Sequence, residues 1–192
     1  MGKAFATILV LAVATSSWLA YARTRESADS PSPPNNMDPT DRVGAARRER
    51  EKLIEEKYRA MAVIYPGEIF IRWFKHEAVV ELWARNGNRR FRLVASYPIL
   101  ASSGGPGPKR RQGERQVPEG FYEVDRFNPK SLFHLSLGLN YPNAADRIHA
   151  DPQKPGGDIF IHGRDVSIGC APLGDEAIEE LYPGYFILKA KS

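Results

Sequence analysis

The chain has 192 residues and a formal net charge of +4, with 26% charged residues of both signs. This length accommodates one domain with a sizeable core plus an extension, and it excludes two full domains. The modest basic excess does not indicate a nucleic-acid-binding protein.

The N-terminus has the pattern of a secretory leader. Lys3 precedes an uncharged apolar run over residues 4–14, and Ala20-Tyr21-Ala22 matches an A-x-A cleavage signal. The apolar run is shorter than the roughly 20 residues that a membrane-spanning helix requires. We therefore predict a signal peptide over residues 1–22 and export to the periplasm or cell envelope. The alternative is an uncleaved leader that anchors the protein, and only then is membrane contact expected.

Two segments precede the main domain. Residues 23–42 are rich in Pro, Ser, Asn and Asp, which predicts a flexible tether. The helical spacing of apolar residues over 43–61 predicts an amphipathic helix packed on the edge of the domain. Its apolar face is formed by Leu53, Ile54, Tyr58 and Met61.

Residues 62–192 have the pattern of a single domain built mainly from short strands. Runs of β-branched and aromatic residues separated by turn residues predict strands at 68–74, 78–84, 89–97, 121–124, 132–137 and 158–162. A short helix is predicted over 175–182 and a last strand over 185–188. Because strands and helices do not alternate, the predicted fold class is mainly β, a sandwich or partly open barrel with flanking short helices.

The candidate chemistry centres on Cys170, the single cysteine of the sequence. An unpaired thiol in an exported protein is a reactive group, an intermolecular link or a buried small hydrophobe. His162 ends a predicted strand, and Cys170 follows eight residues later in the turn over 167–170. A cysteine hydrolase or transferase needs a thiolate, a base within reach and backbone N–H groups for the oxyanion. By residue chemistry alone, a core histidine beside a structural cysteine remains the alternative.

A metal or nucleotide site would need other spacings. None of the histidine and cysteine spacings matches a zinc site, and only one cysteine is present. The glycine- and proline-rich loop over 102–108 lacks the Gly-Lys-Ser/Thr ending of a phosphate-binding loop. We therefore expect no metal and no organic cofactor.

Several motifs occur in one order along the chain. They are Ser103-Gly104-Gly105, Gly107-Pro108-Lys109, Pro118-Glu119-Gly120-Phe121-Tyr122, His134-Leu135-Ser136, Asn140-Tyr141-Pro142-Asn143, Asp146-Arg147, Ile161-His162-Gly163, Ser167-Ile168-Gly169-Cys170 and Ile178-Glu179-Glu180-Leu181-Tyr182. These motifs lie between Ser103 and Tyr182, and the resemblance that they carry covers roughly residues 69–182. This arrangement resembles the L,D-transpeptidase (YkuD-type) catalytic domain family, in particular its YafK-like murein L,D-transpeptidase branch.

The resemblance implies an enzyme that attacks a carbonyl of the peptidoglycan stem peptide through a cysteine thioester. It assigns Cys170 as the nucleophile, His162 as its general base, and the amides of Gly169 and Cys170 as oxyanion donors. Ser167 is expected to orient the loop or the incoming group, and a serine that merely closes a turn is the alternative. An imidazolium beside the thiol is expected to lower the thiol pKa from its ordinary value of about 8.5.

The sequence departs from the family at two positions near the cysteine. Ile168 stands where the family has a second histidine, and Pro172 stands where it has an arginine, so the usual carboxylate anchor is absent. The candidate substrate-binding residues are Arg164, Gly163, Arg147 and His134, together with the basic loop Lys109-Arg110-Arg111. Solvent-exposed charge or a structural role is the alternative for each of these side chains.

The predicted function is therefore acyl transfer on peptidoglycan stem peptides, with the thioester resolved by an amine. Resolution by water is the alternative, which would release wall crosslinks or a wall-anchored lipoprotein. A second alternative function is that of an inactive wall-binding protein that retains the fold. The expected partners are stem peptides and, in the hydrolytic case, a wall-linked lipoprotein.

Overall fold

The computed structural model of the chain describes residues 7–11 and 39–190. The predicted cleavage signal at 20–22 and most of the predicted tether at 23–42 lie outside these residues. Within them, no helix is both long enough and apolar enough to cross a membrane.

The domain consists of eight strands and three helices over the described residues. The strands are β1 (Thr7–Leu11), β2 (Glu68–Phe74), β3 (Val79–Arg85), β4 (Arg92–Pro98), β5 (Gly120–Asn128), β6 (Ser136–Leu139), β7 (Phe160–His162) and β8 (Ala171–Pro172). The helices are α1 (Pro39–Ala60), α2 (Ala144–His149) and α3 (Asp175–Ala190).

The strands are ordered β4-β3-β2-β1-β5-β6-β7-β8. β1 runs parallel to β2 and antiparallel to β5, so it joins the group β2 to β4 to the group β5 to β8. The described strands do not close into a barrel. The predicted mainly β class with flanking helices is confirmed.

β1 lies in the segment that is predicted to be the leader. Cleavage after Ala22 would remove this strand and leave the facing edges of β2 and β5 unpaired inside the sheet. Unpaired strand edges expose backbone N–H and C=O groups that other extended segments can pair with. Cleavage of the leader remains a prediction. If it occurs, β2 and β5 lose the strand that lies between them.

The core lies on one face of the β2–β3 pair. Alternate residues of both strands are buried, as expected when one face of a sheet packs on the core. The register pairs these buried residues with one another: Ile69 with Ala84, Ile71 with Leu82, and Trp73 with Val80. The same face therefore holds a continuous apolar layer.

Helices α1 and α3 pack against each other. In α1 the buried positions include Ala46, Ile54 and Tyr58, whereas Leu53 and Met61 of the predicted face are partly exposed. The buried face is therefore rotated relative to the prediction. The two helices are also joined by an ion pair between Lys57 and Glu180 at 2.6 Å.

Two predicted elements differ in the structure. The last strand predicted over 185–188 is wrong, because α3 continues past Pro183 to Ala190. A short apolar run does not distinguish a strand from a buried helix by its periodicity. The strand predicted over 132–137 begins only at Ser136. The backbone before it turns, since His134 adopts a φ of 71°, in the left-handed region.

Candidate active site

Of the two candidate catalytic residues, His162 ends β7 and Cys170 lies next to the neighbouring strand β8. The parallel register pairs His162 with Pro172 and Ile161 with Ala171. Cys170 directly precedes β8. By the alternation of side chains along a strand, Cys170 shares a face with Pro172, the register partner of His162.

The His162 ring is buried and held in one orientation. Its Nδ1 hydrogen-bonds to the main-chain carbonyl of Gly163, which can only accept, so Nδ1 carries the proton. The ring of Phe133 packs on the imidazole with 4.7 Å between centroids. The neutral imidazole therefore has an unprotonated Nε2, which is the form a general base needs.

Burial lowers the pKa of His162 below its ordinary value, and the hydrogen bond to Gly163 opposes that shift. The imidazole is consequently neutral at neutral pH. The imidazolium predicted from the sequence is therefore not the resting form of His162. The physical reason is desolvation, which disfavours the charged form of the ring.

Cys170 is half-buried, and its Sγ lies 3.6 Å from the carbonyl oxygen of Asp158. Burial raises the pKa of the thiol, whereas a hydrogen bond from the Phe160 N–H lowers it. The carboxylate of Asp158 raises the pKa further and Lys109 lowers it. In this structure the thiol makes no hydrogen bond to the imidazole of His162. At rest, burial therefore favours the neutral form of both the Cys170 thiol and the His162 imidazole.

Ser167 organises the turn that carries the nucleophile. Its Oγ accepts hydrogen bonds from the N–H groups of Gly169 at 3.2 Å and Cys170 at 2.8 Å, and it donates to the carbonyl of Cys170 at 2.7 Å. Gly169 adopts a φ of 126°, which favours glycine. Both N–H groups are therefore already hydrogen-bonded to the Ser167 hydroxyl. An oxyanion of the substrate can bind them only by displacing that hydroxyl, so the role of Gly169 and Cys170 as oxyanion donors remains a prediction.

Gly163 lies in a crowded position directly behind His162. A Cβ at this position would come within 2.6 Å of Asp175 Oδ1 and 2.8 Å of the Phe133 carbonyl oxygen. Its N–H also donates to the carbonyl of Leu135 at 3.1 Å. Gly163 therefore serves the packing of the site and the orientation of His162.

Replacing Gly163 by Ala is expected to destabilise the fold by about 1–3 kcal/mol through overpacking, and to lower turnover by shifting the carbonyl that holds His162. Thermal unfolding and turnover measure the two effects. Gly157→Ala is the matched control, because a Cβ there meets nothing within 4 Å. Equal melting temperatures for the two variants would contradict the packing argument.

Arg164 follows the site histidine and is partly committed to α3. Its main-chain N–H donates to Asp175 Oδ1 at 2.8 Å, and its Nε lies 3.8 Å from Asp175 Oδ2. The carbonyl of Arg164 accepts from the N–H of Gly174 at 3.0 Å. Its side chain remains partly exposed, so its proposed role in binding substrate carboxylates stays a prediction.

His134 and Arg147 lie in different surroundings. His134 is buried, with Nε2 2.8 Å from Glu179 Oε1, so it connects the segment before β6 to α3. Arg147 is exposed on α2, a helix that Asn143 caps together with Asp146. For His134 the observed contact favours the structural alternative. The substrate-binding role of Arg147 remains a prediction.

Two contributors to the site were not identified from the sequence. Phe133 covers His162, yet it falls inside a segment predicted as a strand, where its direction could not be deduced. Lys109 was grouped with its basic neighbours, but its side chain is buried and interacts electrostatically with Cys170. Neither feature has a local sequence signal, because both depend on packing between distant segments. Over the described residues, no cluster of three or more histidine, cysteine, aspartate or glutamate side chains could hold a metal ion.

The fold and site define a mainly β domain with a buried, oriented histidine at the end of β7 and a half-buried cysteine directly before the neighbouring strand β8. Residues 68–183 match the L,D-transpeptidase catalytic domain (YkuD). This match covers more than half of the chain and includes both His162 and Cys170. The chain belongs to the YkuD L,D-transpeptidase catalytic domain family, which confirms the resemblance drawn from the motifs.

The chain is also similar to individual proteins and to one solved structure. The chain is 39% identical over 116 residues to "Putative L,D-transpeptidase YafK" of Escherichia coli (strain K12) and to the protein of that name in Escherichia coli O157:H7. The match covers 59% of this chain and 46% of each relative, so the chain spans less than half their length. A solved structure, "Structure of Bdellovibrio bacteriovorus Bd1075", is similar with a TM-score of 0.43 and 24% identity, covering 60% of this chain and 42% of that chain.

Proposed function

We propose that the protein is an exported cysteine acyltransferase that acts on peptidoglycan stem peptides, with Cys170 as nucleophile and His162 as general base. The observation that carries the proposal is the contact between His162 Nδ1 and the main-chain carbonyl of Gly163. Because Nδ1 donates to the Gly163 carbonyl, Nε2 is the basic nitrogen, and it belongs to the strand beside the turn that ends at Cys170.

The neutral resting pair supports a mechanism in which the proton moves as the substrate binds. Nε2 of His162 takes the proton of the Cys170 thiol, and the thiolate attacks the stem-peptide carbonyl to give a tetrahedral oxyanion. Collapse of this intermediate breaks the peptide bond and forms the thioester. His162 returns the proton to the departing amine. An incoming amine then resolves the thioester, which completes transpeptidation.

Water can resolve the same thioester, and the product would then be a hydrolysed stem peptide or a released wall-linked lipoprotein. The residues of the site are common to both outcomes. The family assignment supports transpeptidation as the leading proposal. The leader pattern of the first 22 residues supports a location in the periplasm or cell envelope.

The test is incubation of the purified protein with purified muropeptides and an amine acceptor, followed by mass measurement of the products. A joined product is expected for transpeptidation. A freed stem peptide or protein remnant indicates hydrolysis. The absence of both products, with muropeptide binding retained, would contradict an enzyme and support the wall-binding alternative.

A further inference from the structure

Residues 131–134, here named the cover loop, fold over the end of β7. β6 pairs with β7 so that Ser136 lies opposite His162, and the left-handed backbone of His134 turns the chain directly before β6. The ring of Phe133 therefore lies on the imidazole of His162, with 4.7 Å between the centroids. The carbonyl oxygen of Phe133 lies 2.8 Å from where a Cβ of Gly163 would stand.

Helix α1 holds the cover loop from one side. Nη1 of Arg42 donates to the main-chain carbonyl of Ser131 at 3.0 Å and to that of His134 at 3.1 Å. These two carbonyls belong to the first and last residues of the loop, so one guanidinium nitrogen fixes both of its ends. Hydrogen bonds from an ionised donor are about twice as strong as those between neutral groups.

Helix α3 holds the same loop from the other side. Nε2 of His134 lies 2.8 Å from Oε1 of Glu179, whose other oxygen lies 3.6 Å from Nε of Arg50 on α1. Within the loop, the hydroxyl of Ser131 accepts a hydrogen bond from the N–H of Phe133 at 3.0 Å. These contacts fix the backbone of Phe133 and thereby the position of its ring.

The apolar side chains of the cover loop contribute little to holding it in place. Leu132 is 91% exposed and Phe133 is 40% exposed. A segment with few buried apolar contacts opens at a low cost in free energy unless other interactions hold it. The hydrogen bonds of Arg42 and His134 therefore decide whether the loop stays closed on His162.

We propose that Arg42 is a positioning residue of the active site, which clamps the cover loop so that Phe133 lies on the imidazole of His162. The inference deepens the proposed function and rests on it, because His162 is the general base of that function. The match to the family domain begins at residue 68, so α1 lies outside it. The proposal makes a helix that precedes the family domain a part of the active site.

The test follows the ring signals of His162 by NMR as a function of pH, in the full chain and without substrate. The sequence contains four histidines, and the spectrum of His162→Gln identifies the signals of His162. Arg42→Met removes the clamp and keeps an unbranched side chain. Water then reaches the imidazole more easily, so the pKa of His162, which burial lowers, is expected to rise toward 6.5.

Two further variants of α1 serve as controls. Arg42→Lys keeps a charged nitrogen that can donate to the same carbonyls, and it is expected to restore the titration of the wild type. Arg48→Met removes an equal charge from the same helix at a side chain that is 67% exposed, and it is expected to overlay the wild type. The carboxylates packed around the loop and the site, Asp175 and Glu179, are unchanged in all of these variants.

Phe133→Leu separates positioning from a direct effect of charge, since loss of a nearby positive charge also raises the pKa of an imidazole. If Arg42 acts through Phe133, the double variant shows no larger rise than Phe133→Leu alone. A direct effect of the charge would add to the effect of Phe133→Leu. Additive shifts would therefore overturn the proposal. So would a folded Arg42→Met variant that titrates like the wild type, or an equal rise in Arg48→Met.

Should Arg42→Met fail to fold, Arg42→Gln takes its place, because the shorter neutral amide cannot donate to both carbonyls from one charged nitrogen. A smaller rise in the same direction is then expected, and a titration equal to that of the wild type overturns the proposal. In active protein, the acidic limb of kcat/KM on muropeptides is expected to move upward in Arg42→Met, and an unmoved limb overturns the proposal as well.

This experiment is separable from the test of the proposed function. The titration requires no peptidoglycan substrate, so a protein without muropeptide turnover still reports whether Arg42 positions Phe133 on His162. Conversely, active protein whose His162 titration ignores Arg42 retains the proposed function and loses the proposed role of the arginine.

Discussion

Replacing Cys170 by Ser is expected to abolish turnover of muropeptides, by about four orders of magnitude or more, while the fold is retained. The hydroxyl is nearly isosteric with the thiol, and Cys170 is only half-buried, so little packing is lost. A serine hydroxyl is much less acidic than a thiol, and the Nδ1 of His162 donates to a main-chain carbonyl instead of the carboxylate that assists the histidine in Ser-His-Asp sites.

The measurement combines product mass analysis with thermal unfolding of the same preparation. A native melting profile with no product is the expected result. Measurable turnover in a natively folded Cys170→Ser variant would mean that another group is the nucleophile. The protein contains no second cysteine to take that role.

Replacing His162 by Gln is expected to slow turnover by about two to four orders of magnitude, the usual contribution of a general base. The glutamine amide can still donate to the Gly163 carbonyl, so the local structure is preserved while the proton acceptor is removed. His149→Gln is the matched control, because His149 is exposed at the end of α2. Equal losses in the two variants would contradict the assignment of His162.

The same variant tests the direction of the His162 pKa. Burial lowers this pKa below its ordinary value of 6.5, so the ring is neutral and basic above that pH and becomes protonated only as the pH falls through the lowered pKa. Wild-type kcat/KM is therefore expected to remain level down to about pH 6.5 and to fall below it. The acidic limb is expected to be absent from His162→Gln. If wild-type kcat/KM falls with a midpoint above pH 6.5, burial does not lower the pKa of His162.

The neutral pair changes how the site is expected to work. An ion pair at rest would require His162 to be protonated, and its enclosure by Phe133 and the core disfavours that charge. The thiol is also held in its protonated form by burial. In the proposed mechanism the thiolate forms when His162 accepts the proton, so the Phe160 N–H, which favours the anion, acquires importance.

Several features of this protein could be predicted from the amino-acid sequence. The mainly β class followed from the two-residue alternation of apolar side chains in strands such as Glu68–Phe74, which has the predicted bounds. The family followed from motifs whose spacing is local, above all His162-Gly163 and the turn that ends at Cys170. Local patterns of this kind survive in the structure because each lies within one strand or one turn.

The tertiary structure decided the features that depend on distant segments. The left-handed backbone of His134, which delays the start of the predicted strand to Ser136, accompanies its contact with Glu179 on α3. The charge states of His162 and Cys170 depend on burial by the surrounding fold, and a spacing does not reveal burial. The position of Lys109 requires the loop after β4 to pack on the segment before β7. Because desolvation and long-range packing involve residues far apart in sequence, no local pattern could predict them.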